Sequence, residues 1–230
     1  RAPKLLKVVL SHPYHDINHE PAFGSSPLFE AMALLTHSEP SADAIAVVSM
    51  LIRHGASIIS ARGENALLRA AVLGRRQLLA TMLKTLDAQH QEHIFKVDGE
   101  GRNILHYAAA EPGQVLIAAA SLSEGTFQSL ATAVDEQNKT ALILAAIHGC
   151  GLACKHLVEV VEPVAVDHRD ADGSTALHYA VAFANDFAAR TLVDAGASCH
   201  LADADGFTVW DLLQEGDDVM KAVLRRCSPR

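Results

Sequence analysis

The sequence has 230 residues, of which 50% are hydrophobic and only 5% are aromatic. A chain of this length can bury a core without disulfides, and aliphatic and alanine side chains favour closely packed helices over aromatic-rich sheets. The formal net charge is −8, and no run of lysine or arginine offers a surface for phosphate backbones, so composition argues against a nucleic-acid partner.

The cysteines and the apolar segments predict the compartment. The four cysteines are too few and too unevenly spread to predict a disulfide framework, so we expect free thiols and a reducing, cytoplasmic environment; they are Cys150, Cys154, Cys199 and Cys227. No apolar run reaches the ~18 residues that a membrane span requires, and no signal peptide is evident, so no membrane partner is expected. The chain begins at Arg1, without methionine, inside a predicted helix, which indicates a fragment of a longer protein.

After an opening segment, residues 1–23, the chain repeats one sequence unit. The clear copies are DGEGRNILHYAA, DEQNKTALILAA, DADGSTALHYA and DADGFTVWDLL, whose first residues, Asp98, Asp135, Asp170 and Asp203, lie 37, 35 and 33 residues apart. Weaker copies begin at Gly24 and Gly63. Because a structural unit is copied whereas an active site occurs once, the acid, hydroxyl and histidine of DGSTALHYA are predicted to be scaffold.

Each copy predicts a tight turn followed by a helix. A residue that tolerates positive φ comes first, namely Gly24, Gly63, Gly101, Asn138, Gly173 and Gly206. A helix N-cap residue follows two positions later, namely Ser26, Asn65, Asn103, Thr140, Thr175 and Thr208. Six helices are therefore expected, and a second helix in each unit is visible in VSMLIRHGAS and ARTLVDAGAS, each ended by a glycine.

The stretch from Gly173 to Ala197 resembles the ankyrin repeat family, with its turn glycine, its T-P-L-H-x-A-A-like helix start and its closing L-x-x-x-G-A. The resemblance implies an all-α solenoid of stacked helix-turn-helix units with short hairpin turns. The implied repeats are 24–62, 63–97, 98–134, 135–169, 170–202 and 203–230, with 1–23 as a truncated repeat or cap. The last repeat reads as a solvent-facing cap at a natural end of the solenoid, because Lys221, Arg225 and Arg226 interrupt its apolar pattern.

The resemblance also implies a concave face that binds another protein, lined by inner-helix ends and turn tips. The predicted contacts at the helix ends are Leu34, Val72, Leu73, Glu111, Ile147, His148 and Phe183, and those at the tips are Arg62, Glu64, Glu100, Arg102, Glu136, Lys139, Asp172, Asp205 and Phe207. The later, acidic tips favour a basic partner surface, although the first acid of each turn also suits capping of its own backbone. The insertions at 36–43, 86–97 and 121–134 either cover or extend this face.

Candidate chemical sites are weaker. HGCGLACKH offers possible zinc ligands, but Cys154 suits a buried apolar position as well. Pro13 interrupts a possible histidine face of His12, His15 and His19. The resemblance implies that His106 and His178 are structural. We therefore expect no catalytic site, metal or cofactor in these residues.

Two functions remain open beside a purely structural tether. The first is a protein-recognition module. The second is the substrate-recruiting part of a larger enzyme of the ADP-ribosyl transfer type, with its catalytic domain before residue 1. In their insertions and alanine-rich character the repeats resemble the C-terminal ankyrin domain of bacterial type III effectors that ADP-riboxanate host caspases. That resemblance implies a virulence role, a host caspase partner and the host cytosol.

Overall fold

A computed structural model describes residues 16–19, 26–33, 42–60, 62–86, 93–111, 113–161, 163–214 and 216–227. The regular elements of these residues are helices, joined by turns and by three isolated antiparallel bridges. The predicted all-α class is confirmed. The chain divides into two units, residues 1–98 and 99–230, and each is described by itself.

The first unit contains two helix pairs. Its helices are α1 (Pro27–Ala33), α2 (Ala42–Arg53), α3 (Ala66–Val72) and α4 (Arg76–Leu86). Helix α2 packs against α1 and α4, and α3 packs against α1 and α4. The core between them is mostly aliphatic, as at Leu28 and Leu67, with Phe29 also buried, in agreement with the composition.

The second unit stacks its helices in two rows. Its helices are α5 (Ile104–Ala108), α6 (Gln114–Ser121), α7 (Glu124–Thr132), α8 (Ala141–Ile147), α9 (Gly151–Val158), α10 (Pro163–Val166), α11 (Ala176–Ala182), α12 (Asp186–Asp194) and α13 (Asp218–Leu224). The inner row is α5, α8 and α11, and the outer row is α6, α9, α12 and α13, with each helix packed on the next in its row. Buried alanines such as Ala145 and Ala146 let the two rows approach closely.

Four of the six predicted N-caps are confirmed. Asn65 and Asn103 accept a hydrogen bond from the backbone two residues ahead, and Thr140 and Thr175 accept one from the backbone three residues ahead. At Asn103 and Thr175 the histidine three residues on, His106 or His178, accepts in return from the cap's own N–H, which completes a capping box. Both histidines are buried, and their predicted structural role is confirmed.

Two predicted caps are wrong. Ser26 precedes α1, but its buried hydroxyl has no hydrogen-bond partner. Thr208 starts no helix, because residues 209–212 form turns. The N–H and hydroxyl of Thr208 both donate to the carboxylate of Asp211, at 2.8 and 2.6 Å, and these donors lower the pKa of that carboxyl. Among the described residues, the helix that comes after this turn is α13, which packs on α12 in the outer row.

The turns of the second unit form a hydrogen-bonded row. In each of three turns the first aspartate accepts two backbone N–H bonds through its own Oδ1, as Asp135, Asp170 and Asp203 do. One backbone hydrogen bond of 2.9 to 3.0 Å joins each turn to the preceding one. In these bonds an N–H donates to a carbonyl: Glu136 to Glu100, Ala171 to Gln137 and Ala204 to Asp172. The predicted positive φ is also present, at 72° for Gly173 and 58° for Asn138.

The cysteines require a correction. Cys199 and Cys227 form a disulfide with a Cα–Cα distance of 6.2 Å, whereas the sequence predicted free thiols throughout. The two residues are 28 positions apart and meet because α13 stacks on α12. The other pair, Cys150 and Cys154, is free as predicted, and both residues are buried, which the sequence predicted for Cys154.

The insertion at 121–134 contains a helix of its own. Helix α7 buries Phe127, Leu130 and Ala131 and packs against α5, α6 and α8. Of the other two insertions, residues 36–41 and 87–92 lie outside the described residues. Val72, His148 and Phe183 are exposed, so the described parts of the insertions do not cover these inner-helix ends.

Replacing Asn103 with alanine is expected to destabilise the second unit by about 2 kcal/mol, because a cap and a buried hydrogen bond are lost together. The Asn103 side chain accepts from Leu105 N and His106 N at 2.8 and 3.2 Å and donates to the Leu130 carbonyl at 2.9 Å. Urea unfolding measures the loss. The control Asn103→Thr, which carries the cap residue of the next two repeats, should recover the cap without the bond to Leu130. Equal stability of the alanine variant and the parent would contradict this role.

Candidate partner-binding surface

The inner row of the second unit exposes an aromatic cluster at its helix ends. Phe183, the residue after α11, is 55% exposed. Its ring stacks on that of Tyr179 with centroids 6.3 Å apart and an interplanar angle of 12°. The ammonium of Lys139, from the preceding turn, lies 5.7 Å from the centroid of the Tyr179 ring, within the range of a cation–π contact. Lys139, Tyr179 and Phe183 are called the inner cluster below.

A hydrogen bond to the turn before α11 fixes the tyrosine of the inner cluster. The Tyr179 hydroxyl donates to Asp170 Oδ2 at 2.7 Å, and Asp170 is itself fixed by the two backbone bonds of its turn. Burial, together with this hydrogen bond to a carboxylate, raises the pKa of Tyr179. The hydrogen bond to Asp170 restricts the orientation of the Tyr179 ring. A preorganised aromatic pair loses little conformational entropy when a partner covers it.

The neighbouring inner helices contribute the predicted contacts of repeats three and four. Ile147 ends α8 and is half-buried, while His148 and Glu111 are exposed. In the turn of repeat three, Arg102 pairs with Glu100 at 3.0 Å and lies over the ring of Tyr107 at 4.9 Å. Arg102 with Tyr107, like Lys139 with Tyr179, therefore places a cation of a turn over a tyrosine of an inner helix.

The turn tips carry charge outward. Glu136, Asp172 and Asp205 are exposed at equivalent positions of three successive turns, and Phe207 in the last turn is 51% exposed. The acids that begin these turns bond to their own backbone. The prediction that the first acid of each turn caps its own backbone is therefore confirmed. The acids that face solvent are Glu136, Asp172 and Asp205, called the tip acids below.

The predicted contacts of the first unit are described separately from these. Val72, at the end of α3, is 57% exposed, and Leu73 is half-buried. Arg62 and Glu64 are exposed in the turn before α3. Leu34 lies outside the described residues.

Sequence reasoning missed the two tyrosines. Tyr107 and Tyr179 each lie four residues after the N-cap of an inner helix, one turn along from the cap. That spacing places them on the same exposed stripe as the predicted helix-end residues, since positions near i, i+4 and i+8 share a helix face. The period of the helix could therefore have identified them.

The possible zinc ligands have different environments. Cys154 is fully buried in α9, and burial raises the pKa of its thiol to about 12. Burial, with a smaller contribution from Glu111, also raises the pKa of Cys150, while His148 is exposed. Among the described residues, no group of three or more histidine, cysteine or acidic side chains could hold a metal. His12, His15 and His90 lie outside that part of the chain.

The stacked helix pairs and hydrogen-bonded turns define a helical repeat protein. Residues 115–203 match the family model for ankyrin repeats in three copies. A comparison with curated proteins found no match. Ankyrin repeats generally act as protein–protein interaction modules. No helix among the described residues is long and apolar enough to cross a membrane.

Proposed function

We propose that the second unit is a protein-recognition module whose partner binds over the inner cluster and the adjoining turn tips. The observation that supports this most is the exposed, stacked pair Tyr179 and Phe183 beside the Lys139 ammonium. Aromatic side chains are enriched in protein interfaces, where a few anchors supply most of the binding energy. The proposal assigns no catalytic role to these 230 residues.

The tip acids define the charge of the expected partner. Glu136, Asp172 and Asp205 project from a row of turns fixed by backbone hydrogen bonds. A partner that places an apolar side chain on Phe183 would meet these carboxylates along one edge. We expect basic residues there, which act mainly on orientation and association rate.

The test compares two phenylalanines of equal exposure in different rows. Phe183, at 55%, follows an inner helix, and Phe187, at 54%, lies on the outer helix α12. A partner captured by residues 1–230 from a eukaryotic cytosolic extract is purified and titrated against both variants. Phe183→Glu is expected to weaken binding about 30-fold, the loss typical of an interface anchor. Phe187→Glu should leave binding unchanged.

This placement would be refuted if Phe183→Glu weakened the binding of no captured partner. A captured partner that is lost on Phe187→Glu but retained on Phe183→Glu binds the outer row instead. Circular dichroism melting of both variants separates loss of binding from loss of fold. Lys139→Met tests the cation separately, and a modest loss is expected from it.

The narrower hypothesis names the partner as a host caspase and the chain as the recruiting part of an ADP-ribosyl transfer effector. It draws on the resemblance of the repeats to those effectors. Titration of purified caspases against residues 1–230 tests it. Tight binding that Phe183→Glu abolishes would support it, and the absence of binding to every caspase tried would exclude this partner.

A further inference from the structure

The outer row of the second unit carries an exposed apolar strip that is separate from the inner cluster. Leu152 in α9, Phe187 in α12 and Val219 in α13 are 54%, 54% and 52% exposed. Each is the second residue of its helix, and the three helices are neighbours in the row. The solvent face of an amphipathic helix is normally polar, so three large apolar side chains in register are unusual there.

Phe187 is fixed between two of these helices. Its ring covers Gly151 at the start of α9, so closely that a Cβ on that glycine would collide with it. Behind the ring a cleft of about 470 Å³ runs between α9 and α12, with Val158 and Ala195 in its wall. A second cleft of about 390 Å³ lies between α12 and α13 beside Val219. The outer groove is defined here as Val158, Phe187 and Ala195 with the two cations described next.

Those cations, Lys155 and Arg190, border the 470 Å³ cleft. Both are exposed, and neither has an ion-pair partner among the described residues. Two acids also border this cleft: Asp194 lies 2.6 Å from Arg226, and Glu159 lies 3.4 Å from His156 Nδ1, a contact that is an ion pair only when the imidazole is protonated. Lys155 and Arg190 therefore place two positive charges beside an apolar floor, with Asp194 paired to Arg226 and Glu159 as the remaining acid, on a chain of net charge −8.

We propose that the outer groove binds an acidic amphipathic segment of a partner protein. An apolar side chain of that segment would contact Phe187 and Val158 in the cleft. Its carboxylates would face Lys155 and Arg190, which have no ion-pair partner in the part of the chain that the structure describes. The size of the cleft suits one or two side chains rather than a whole domain. This site is separate from the inner cluster, so its occupant and the partner of the proposed function need not be the same protein.

The opposite charge preferences of the two surfaces give the proposal its specificity. The tip acids beside the inner cluster favour basic residues on a partner, whereas Lys155 and Arg190 favour acidic ones. A segment suited to one surface is repelled by the other, since like charges brought together at an interface cost binding energy.

The test uses a displayed random-peptide library, selected on residues 1–230. We expect peptides in which aspartate or glutamate flanks an aromatic or aliphatic residue. For such a peptide, Arg190→Glu is expected to weaken binding about tenfold or more, as loss of a charge pair with added repulsion does. The matched control Arg225→Glu reverses one exposed charge outside the groove and should have little effect. Phe187→Glu should abolish binding, and Phe183→Glu should not.

Several results would overturn the proposal. One is that no peptide is enriched, or that the enriched peptides lack acidic residues. Another is that they bind Arg190→Glu as well as the parent. A dimer seen by sedimentation and removed by Phe187→Glu would instead assign the groove to a second copy of the chain. If Phe187→Glu melts early, Lys155→Met with Arg190→Met keeps the apolar floor and must still lose the preference for acidic peptides.

Discussion

Reduction of the Cys199–Cys227 disulfide is expected to lower the free energy of unfolding of the second unit by about 3 to 4 kcal/mol, the loss that chain entropy gives for a loop of this length. The bridge spans 28 residues and joins the segment after α12 to the end of α13. Without it, α13 is held by Met220, Val223 and Leu224, which are buried at the end of the row.

Two measurements check this result. Thermal unfolding is followed with and without dithiothreitol, beside a Cys199→Ala, Cys227→Ala variant whose melting temperature should be insensitive to the reductant. Thiol titration of the unfolded, unreduced protein should count two free cysteines, Cys150 and Cys154. Four free thiols in that titration would contradict the bridge.

Gly173→Ala is expected to destabilise the second unit by about 3 kcal/mol, because two costs add at this position. Gly173 has a φ of 72°, and a Cβ there would lie 2.9 Å from the backbone nitrogen of Ala204. That nitrogen donates to the Asp172 carbonyl across the row of turns. The added methyl group therefore strains the backbone and pushes two adjacent turns apart.

Gly206→Ala is the matched control for this substitution. Gly206 occupies the same position of the next turn at a φ of 86°, but a Cβ there would have nothing within 4 Å. Only the cost of the left-handed conformation remains, about 1 to 2 kcal/mol. Urea unfolding of both variants gives the difference. Equal losses would show that the contact between the turns is not tight.

Local features of the fold could be predicted from the sequence. The turn residues with positive φ and the caps Asn65, Asn103, Thr140 and Thr175 depend on local sequence alone. They are confirmed, apart from the predicted turn residue Gly24, which lies outside the described residues. Thr208 has the same local pattern but starts no helix, since residues 209–212 form turns. Local propensity alone therefore does not decide whether an inner helix forms.

Features that depend on the stacking of helices could not be predicted. Cys199 and Cys227 meet only because α12 and α13 are neighbours. The inner cluster likewise brings Lys139 of one repeat to Tyr179 of the next, and the outer groove brings Lys155 and Arg190 to one cleft. In each case the residues are more than 25 positions apart. Spacing within one repeat gives no information on such pairs.

The most direct test of the account is site-specific photocrosslinking of the captured partner. Benzoylphenylalanine is placed at Phe183 or Phe207, and at Leu116, which is 48% exposed on the outer helix α6. The account predicts crosslinks to the partner from Phe183 and Phe207 and none from Leu116. Crosslinks from Leu116 alone would place the partner on the outer row and contradict recognition through the inner cluster.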